Sequence, residues 1–232
     1  MNIEIYPKEV FAKLLYFIFA LLLFNIIGII SKYYFGYSIY GLVRLFNFDI
    51  ERNIPTLYST LALLFASILL LIITIAHKRN NSAYLSWLGL AFIFLFLSMD
   101  EFMSLHEHLI IPVRESLDTS GVFYFAWIIP YGIALIVFVI VYFKFLTNLP
   151  RNIMILFVVS GAVFVSGALG FEMVGGIYSE LYGENNLLYA SIYTCEEFLE
   201  MLGIAIFIYT LLRYINSQFK TLTITVNELK TN

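Results

Sequence analysis

Residues 56–75 read TLYSTLALLFASILLLIITI, a run without one charged side chain. Wound as a helix at about 1.5 Å per residue, such a run covers about 30 Å, the thickness of a bilayer's hydrocarbon core. Pro55 stands just ahead of it, where a helix tolerates the missing N–H. His77, Lys78 and Arg79 follow it, as residues facing headgroups would. The whole chain agrees with this reading. Of its 232 residues 61% are hydrophobic, 18% aromatic and 12% charged, and mean hydropathy is +0.89. Soluble domains carry about 25% charged residues, so a soluble enzyme and a disordered regulator are poor fits. With a net charge of −3 and dispersed basic residues, no footprint for nucleic acid exists.

Working outward, six segments are predicted to cross: Phe11–Ile30, Thr56–Ile75, Ser82–His108, Val122–Leu146, Asn152–Tyr178 and Leu187–Tyr214. The fold class is therefore an all-α polytopic membrane bundle, a single transmembrane domain over 1–232. Pro130 lies inside the fourth segment and predicts a kink. Tyr37–Ile50 is too short and too polar to cross, and its helical spacing predicts an interfacial helix. The first apolar run lacks a small-x-small cleavage site and reads as a retained span. Cys195, the lone cysteine, excludes an internal disulfide and is expected to be a small buried apolar residue.

Lysine and arginine in short connections set orientation. Six spans put Lys8, Lys13, Lys78, Arg79, Lys144, Arg151, Arg213, Lys220 and Lys230 on one side, against Lys32, Arg44, Arg52 and Arg114 on the other. Both termini are expected to be cytoplasmic. The expected location is a plasma (inner) membrane.

The acids break the pattern. Seven of the sixteen fall inside predicted spans: Asp100, Glu101 and Glu107 in the third, Glu172 in the fifth, and Glu196, Glu197 and Glu200 in the sixth. Each costs about 2.5–3.5 kcal/mol at a helix centre on insertion scales. By helical rise, Asp100 lies about 12 Å from the outer end of its segment, Glu172 about 9 Å and Glu196 about 14 Å. Three helices are thus expected to bring acids to one level in the outer half of the membrane. Asp100, Ser104 and Glu107 share a helical face, with Glu101 and His108 on a second stripe and His106 turned away from both. Glu196, Glu200 and Tyr193 share another face, flanked by Glu197. Glu172 lies with Gly161, Ala168, Gly175 and Gly176, beside an Ala162, Ser166, Gly170 stripe that predicts close helix packing. Tyr182, Tyr189 and Tyr193 are expected to be interfacial anchors. No lysine or arginine enters the outer half of a predicted span, and Arg114 is the one nearby cation.

Unpaired carboxylates at close range demand protonation, water or metal. Carboxylates with one or two imidazoles suit iron, manganese or zinc. The expected metal ligands are Asp100, Glu107, His108, Glu172, Glu196 and Glu200. Glu101, Glu197 and His106 are candidate acid–base groups, with Ser104 and Tyr193 as supporting groups. The resemblance to carboxylate-bridged di-metal bundles is partial, because no Glu-x-x-His occurs and the first, second and fourth spans offer no ligand. Zinc hydrolases with three histidines and an aspartate fit less well. His77 lies at the opposite end of the bundle from His106 and His108. The similar stretches Asp100-Glu-Phe-Met and Glu196-Glu-Phe-Leu read as two helices supplying like chemistry, since an inverted repeat would place them at mirrored depths.

The leading expectation is an outward-facing polar site that binds one or two divalent metal ions; if the protein is an enzyme, a metal-dependent reaction, hydrolytic or oxidative, on a lipid or other hydrophobic molecule fits the burial. A proton- or cation-coupled transporter and a non-catalytic binding subunit are the alternatives. The apolar cytoplasmic halves of the spans weigh against a continuous ion path.

Overall fold

A computed structural model describes residues 6–36 and 41–219. Its long helices are α1 (Pro7–Tyr34), α3 (Ile54–Arg79), α4 (Leu85–Met103), α6 (Ile128–Thr147), α7 (Arg151–Val165) and α9 (Leu187–Gln218). Shorter ones are α2 (Leu42–Phe46), α5 (Ile110–Leu117) and α8 (Glu172–Tyr182). A π-helical segment, Ser166–Phe171, joins α7 to α8 in one continuous span. Six spans are long and apolar enough to cross a membrane, and no strand occurs among the described residues. The expected interfacial helix over 37–50 reduces to α2, with residues 37–40 outside the described set. Lys220 and Lys230, used for orientation, also lie outside it.

The bundle is organised around α9, which packs against α1, α3, α7 and α8, while α3 pairs with α4. One core joins Leu63, Ala66 and Leu70 of α3, Trp87 and Leu90 of α4, Phe157 of α7, and Ile204, Ile208 and Leu211 of α9. Hydroxyls tie α3 to α4: Ser67 donates to the Ala91 carbonyl at 2.8 Å and Ser98 to that of Thr60 at 2.9 Å. Such bonds replace the hydrophobic drive that helices lack in lipid. A second core, with Ile18, Phe48, Tyr189, Tyr193 and Met201, binds α1 and the segment after α2 to α9. Asn25, 1% exposed, bridges it. Its amide donates to Thr194 at 2.9 Å, and its carbonyl accepts from the Phe48 N–H at 3.1 Å.

Several expectations need correction. The third span ends at Met103, not His108, because Ser104 takes a left-handed backbone (φ 53°) and turns the chain. Glu107 and His108 therefore lie on a 3₁₀ turn beyond the helix, and the predicted Asp100, Ser104, Glu107 face is broken. Pro130 sits in the first turn of α6, where no N–H is needed, so it starts that helix and does not kink it. Ala162, Ser166 and Gly170 are exposed. The close approach of α7 to α9 instead uses Gly167, where a Cβ would lie 2.6 Å from the Glu196 carbonyl oxygen. Cys195 is exposed. Tyr189 and Tyr193 are buried, and Tyr182 alone of the three expected anchors is exposed. His77 is part-buried, bonded to the Tyr214 hydroxyl at 2.8 Å and stacked on Trp87.

Candidate functional site

Ser104 determines the local geometry. By reversing the chain after α4 it lays His106 back over Asp100, which is 5% exposed. The His106 backbone N–H donates to Asp100 Oδ1 at 2.8 Å, and His106 Nδ1 lies 3.3 Å from the same oxygen. This is the one ion pair among the described residues. Trp127 and Tyr131 flank the imidazole, with ring centroids 4.8 and 6.4 Å away. The expectation that His106 turns away from Asp100 is thus overturned, because it assumed a straight helix.

Beside His106 stand Glu107 and Glu51. One ligand atom from each of the three lies within 4.8 Å of the others. Two donors bound at about 2.1 Å to one ion stand at most about 4.2 Å apart, so a small side-chain adjustment would close the set. Glu51 Oε2 is buried without a hydrogen-bond partner. An unsatisfied buried acceptor costs about 1–3 kcal/mol, more when charged, and an ion would satisfy it. The three could hold a divalent metal ion. Glu51 was not anticipated from the sequence. It belongs to the connection between α2 and α3, which reads as an ordinary polar loop.

Glu51 and His106, both outside the spans, are electrostatically perturbed. Burial, then the charge of Glu107, raises the Glu51 carboxyl above its usual value, against the pull of His106 and the nearby Ser104 and Thr56 hydroxyls. Burial alone would lower His106. The hydrogen bond and charge of Asp100 outweigh it, so the imidazole holds its proton to higher pH than usual.

The cluster opens into a cavity of about 1200 Å³. Asp49, Glu51, His106 and Glu107 line it, and so do Asp100, Glu101, Glu172, Glu196, Glu197 and Glu200. No lysine or arginine does so among the described residues. Glu172 accepts from Trp127 Nε1 at 2.7 Å. Tyr193 also lines the cavity.

His108 and Arg114 lie elsewhere. His108 is exposed, with Nδ1 donating to the Ser104 carbonyl at 2.7 Å. Arg114 is committed to Tyr124, through the carbonyl and over the ring at 3.9 Å, so it does not neutralise the acids.

The π segment helps build the acidic wall. Its extra backbone per turn re-phases everything after Phe171, so Glu172 is not on the face extrapolated from α7. Gly167 meanwhile brings that segment against α9 at Glu196 and Glu200.

No curated protein and no solved structure is similar to this chain. A family model does match residues 14–215, which takes in four spans whole and most of the first and last, and by that match the chain belongs to the family described as Domain of unknown function (DUF8692).

Proposed function

We propose that this is a membrane enzyme that holds a divalent metal ion at the carboxylate end of its bundle and acts on a hydrophobic substrate. Glu51, His106 and Glu107 are the proposed ligands. The observation that carries the reading is the Asp100–His106 pair. Metal-binding histidines characteristically give their second nitrogen to a carboxylate, which fixes the ring and raises its basicity. With Nδ1 engaged by Asp100, Nε2 is left for an ion. The orphaned Glu51 oxygen points the same way.

Two carboxylates and an imidazole suit zinc, manganese or iron(II). Three protein ligands leave a position for water or a substrate oxygen, as in catalytic rather than structural sites. Metal there would supply Lewis-acid or redox chemistry, so the reading covers both hydrolysis and oxidation. The spare carboxylates of Glu172, Glu196, Glu197, Glu200 and Glu101 line the same chamber and can hold or move protons for the reaction. The basic-residue bias supports a site facing away from the cytoplasm. Cation transport is less well supported. Past Glu200 the walls turn to Gly203, Ile204 and Phe207 on α9 and to Leu90 on α4, and the scattered hydroxyls of Tyr142, Thr147 and Ser160 carry no charge to draw an ion onward.

The test is elemental analysis of detergent-purified protein after growth in zinc, manganese and iron. Near one equivalent of metal in wild type, lost in Glu51→Gln and His106→Ala but kept in His108→Ala, supports the reading. Metal-free, folded wild type that takes up no added ion refutes it.

A further inference from the structure

The rest of the cavity is apolar, and it lies beside α6. Only Ile128 is buried among the twenty residues of that helix. The helix touches α4 near its two ends. At the carboxylate end Tyr131 meets Phe96, with ring centroids 6.5 Å apart. At the other end Tyr142 donates to the Ser86 carbonyl at 3.3 Å and Phe145 meets Trp87 at 4.9 Å. Between them the cavity wall is made by Ala134, Leu135 and Phe138 of α6, by Ile93 and Leu97 of α4 and by Gly161 of α7. Lining residues on α6 run from Pro130 to Thr147, about 25 Å of helix.

The chamber is partly open, so the phase beside α6 has access to it. Water is a poor filler there, because a stable buried water needs about two to four polar partners, and beyond Glu200 the lining offers only the separate hydroxyls of Tyr142, Thr147 and Ser160. The phase in contact with α6 is hydrocarbon. The head end has its own selectivity, because its lining carries carboxylates and no lysine or arginine. Carboxylates accept hydrogen bonds and repel anions.

We infer that the chamber binds one hydrocarbon chain of a membrane amphiphile along α6, and that the head lodged among Glu101, Glu172, Glu196, Glu197 and Glu200 is an ammonium or hydroxyl donor, not a phosphate. This names the substrate class of the enzyme proposed above and rests on that reading for its catalytic meaning, though the binding itself requires no metal.

The experiment measures retention of radiolabelled hexadecylamine by purified protein in mixed micelles, with hexadecanol and hexadecyl phosphate as competitors. Wild type should retain about one amine per chain. The unlabelled amine and the alcohol should displace it at least ten times more effectively than the phosphate. Gly161→Phe puts a ring into the chamber from a position where a Cβ meets nothing within 4 Å. It should lower retention at least tenfold while metal content stays at the wild-type level. Ala134→Phe, from the opposite wall, provides the same test should the first variant fail to fold. Competition by phosphate equal to that by amine overturns the head assignment. Unchanged retention in both folded chamber variants overturns the chain site. Glu51→Gln that loses metal yet retains the amine supports the inference. Protein that retains the amine but never binds metal leaves this inference standing and removes the metal reading.

Discussion

Replacing Gly167 by alanine tests how the acidic wall is held together. An added Cβ would lie 2.6 Å from the Glu196 carbonyl oxygen, 3.1 Å from the Glu200 nitrogen and 3.0 Å from Glu200 Cγ. Two of these atoms are backbone of α9, so no rotamer change relieves the clash and the two spans must part by several tenths of an ångström. Overpacking of this kind costs about 1–3 kcal/mol, and a contact against backbone belongs at the upper end. For a chain of this size each kcal/mol shifts the melting midpoint by about 2–4 °C, so a cost of about 3 kcal/mol gives an expected fall of roughly 6–12 °C. Gly170 supplies the control, three residues on in the same π segment, exposed and with nothing within 4 Å of its Cβ. Alanine there costs no packing and relieves some of the entropy glycine loses on folding, by about 0.4–1 kcal/mol. The assay is thermal unfolding of both variants in one detergent, followed by circular dichroism and by loss of monodisperse protein. A Gly167→Ala variant as stable as Gly170→Ala would refute the claim that backbone contact at Gly167 sets the spacing of α7 and α9.

Other outcomes follow from the metal-site geometry. Asp100→Asn should weaken metal binding about 10–100-fold, the usual cost of losing such a supporting partner, measured by competition with a chromophoric chelator. Because Glu51 and His106 both hold protons above their ordinary values of about 4.3 and 6.5, protons compete with the ion. Affinity should therefore rise as pH increases from about 5.5 to about 8, and flat affinity over that range contradicts the ligand set. Asn25→Leu leaves the Phe48 N–H without its acceptor, at about 1–3 kcal/mol. It should loosen the segment that carries Glu51, lowering metal affinity as well as the melting midpoint. Trp127→Phe removes the donor to Glu172 and should cost about 1–3 kcal/mol without abolishing metal uptake, read by the same two assays.

The spans were legible because twenty apolar residues in a row have few other uses, and the acids stood out because hydrocarbon makes them expensive. What escaped was everything set by a single backbone torsion or by a contact across the chain. Ser104 carries no strong turn signal, yet its left-handed conformation moves Glu107 and His108 off α4 and folds His106 onto Asp100. Glu51 resembles any acid in a short loop until Asn25 of α1 and the start of α3 hold that loop against the bundle. The π segment has no periodicity signal, so the face of Glu172 was extrapolated through it. Gly167 lay one residue from the predicted small-residue stripe, an error of about 100° around the helix.

Helix α9 has a consequence for biogenesis. It carries Glu196, Glu197 and Glu200 in its first half and follows the other five spans in the chain. Partitioned alone into lipid, those acids would cost about 8–10 kcal/mol on insertion scales, offsetting much of what its apolar second half gains. When α9 leaves the ribosome, the walls contributed by α1, α3, α4 and α7 have already been made. The order of synthesis thus gives the most polar span a prepared berth, and moving its sequence to the front of the chain should leave it stranded at the membrane surface.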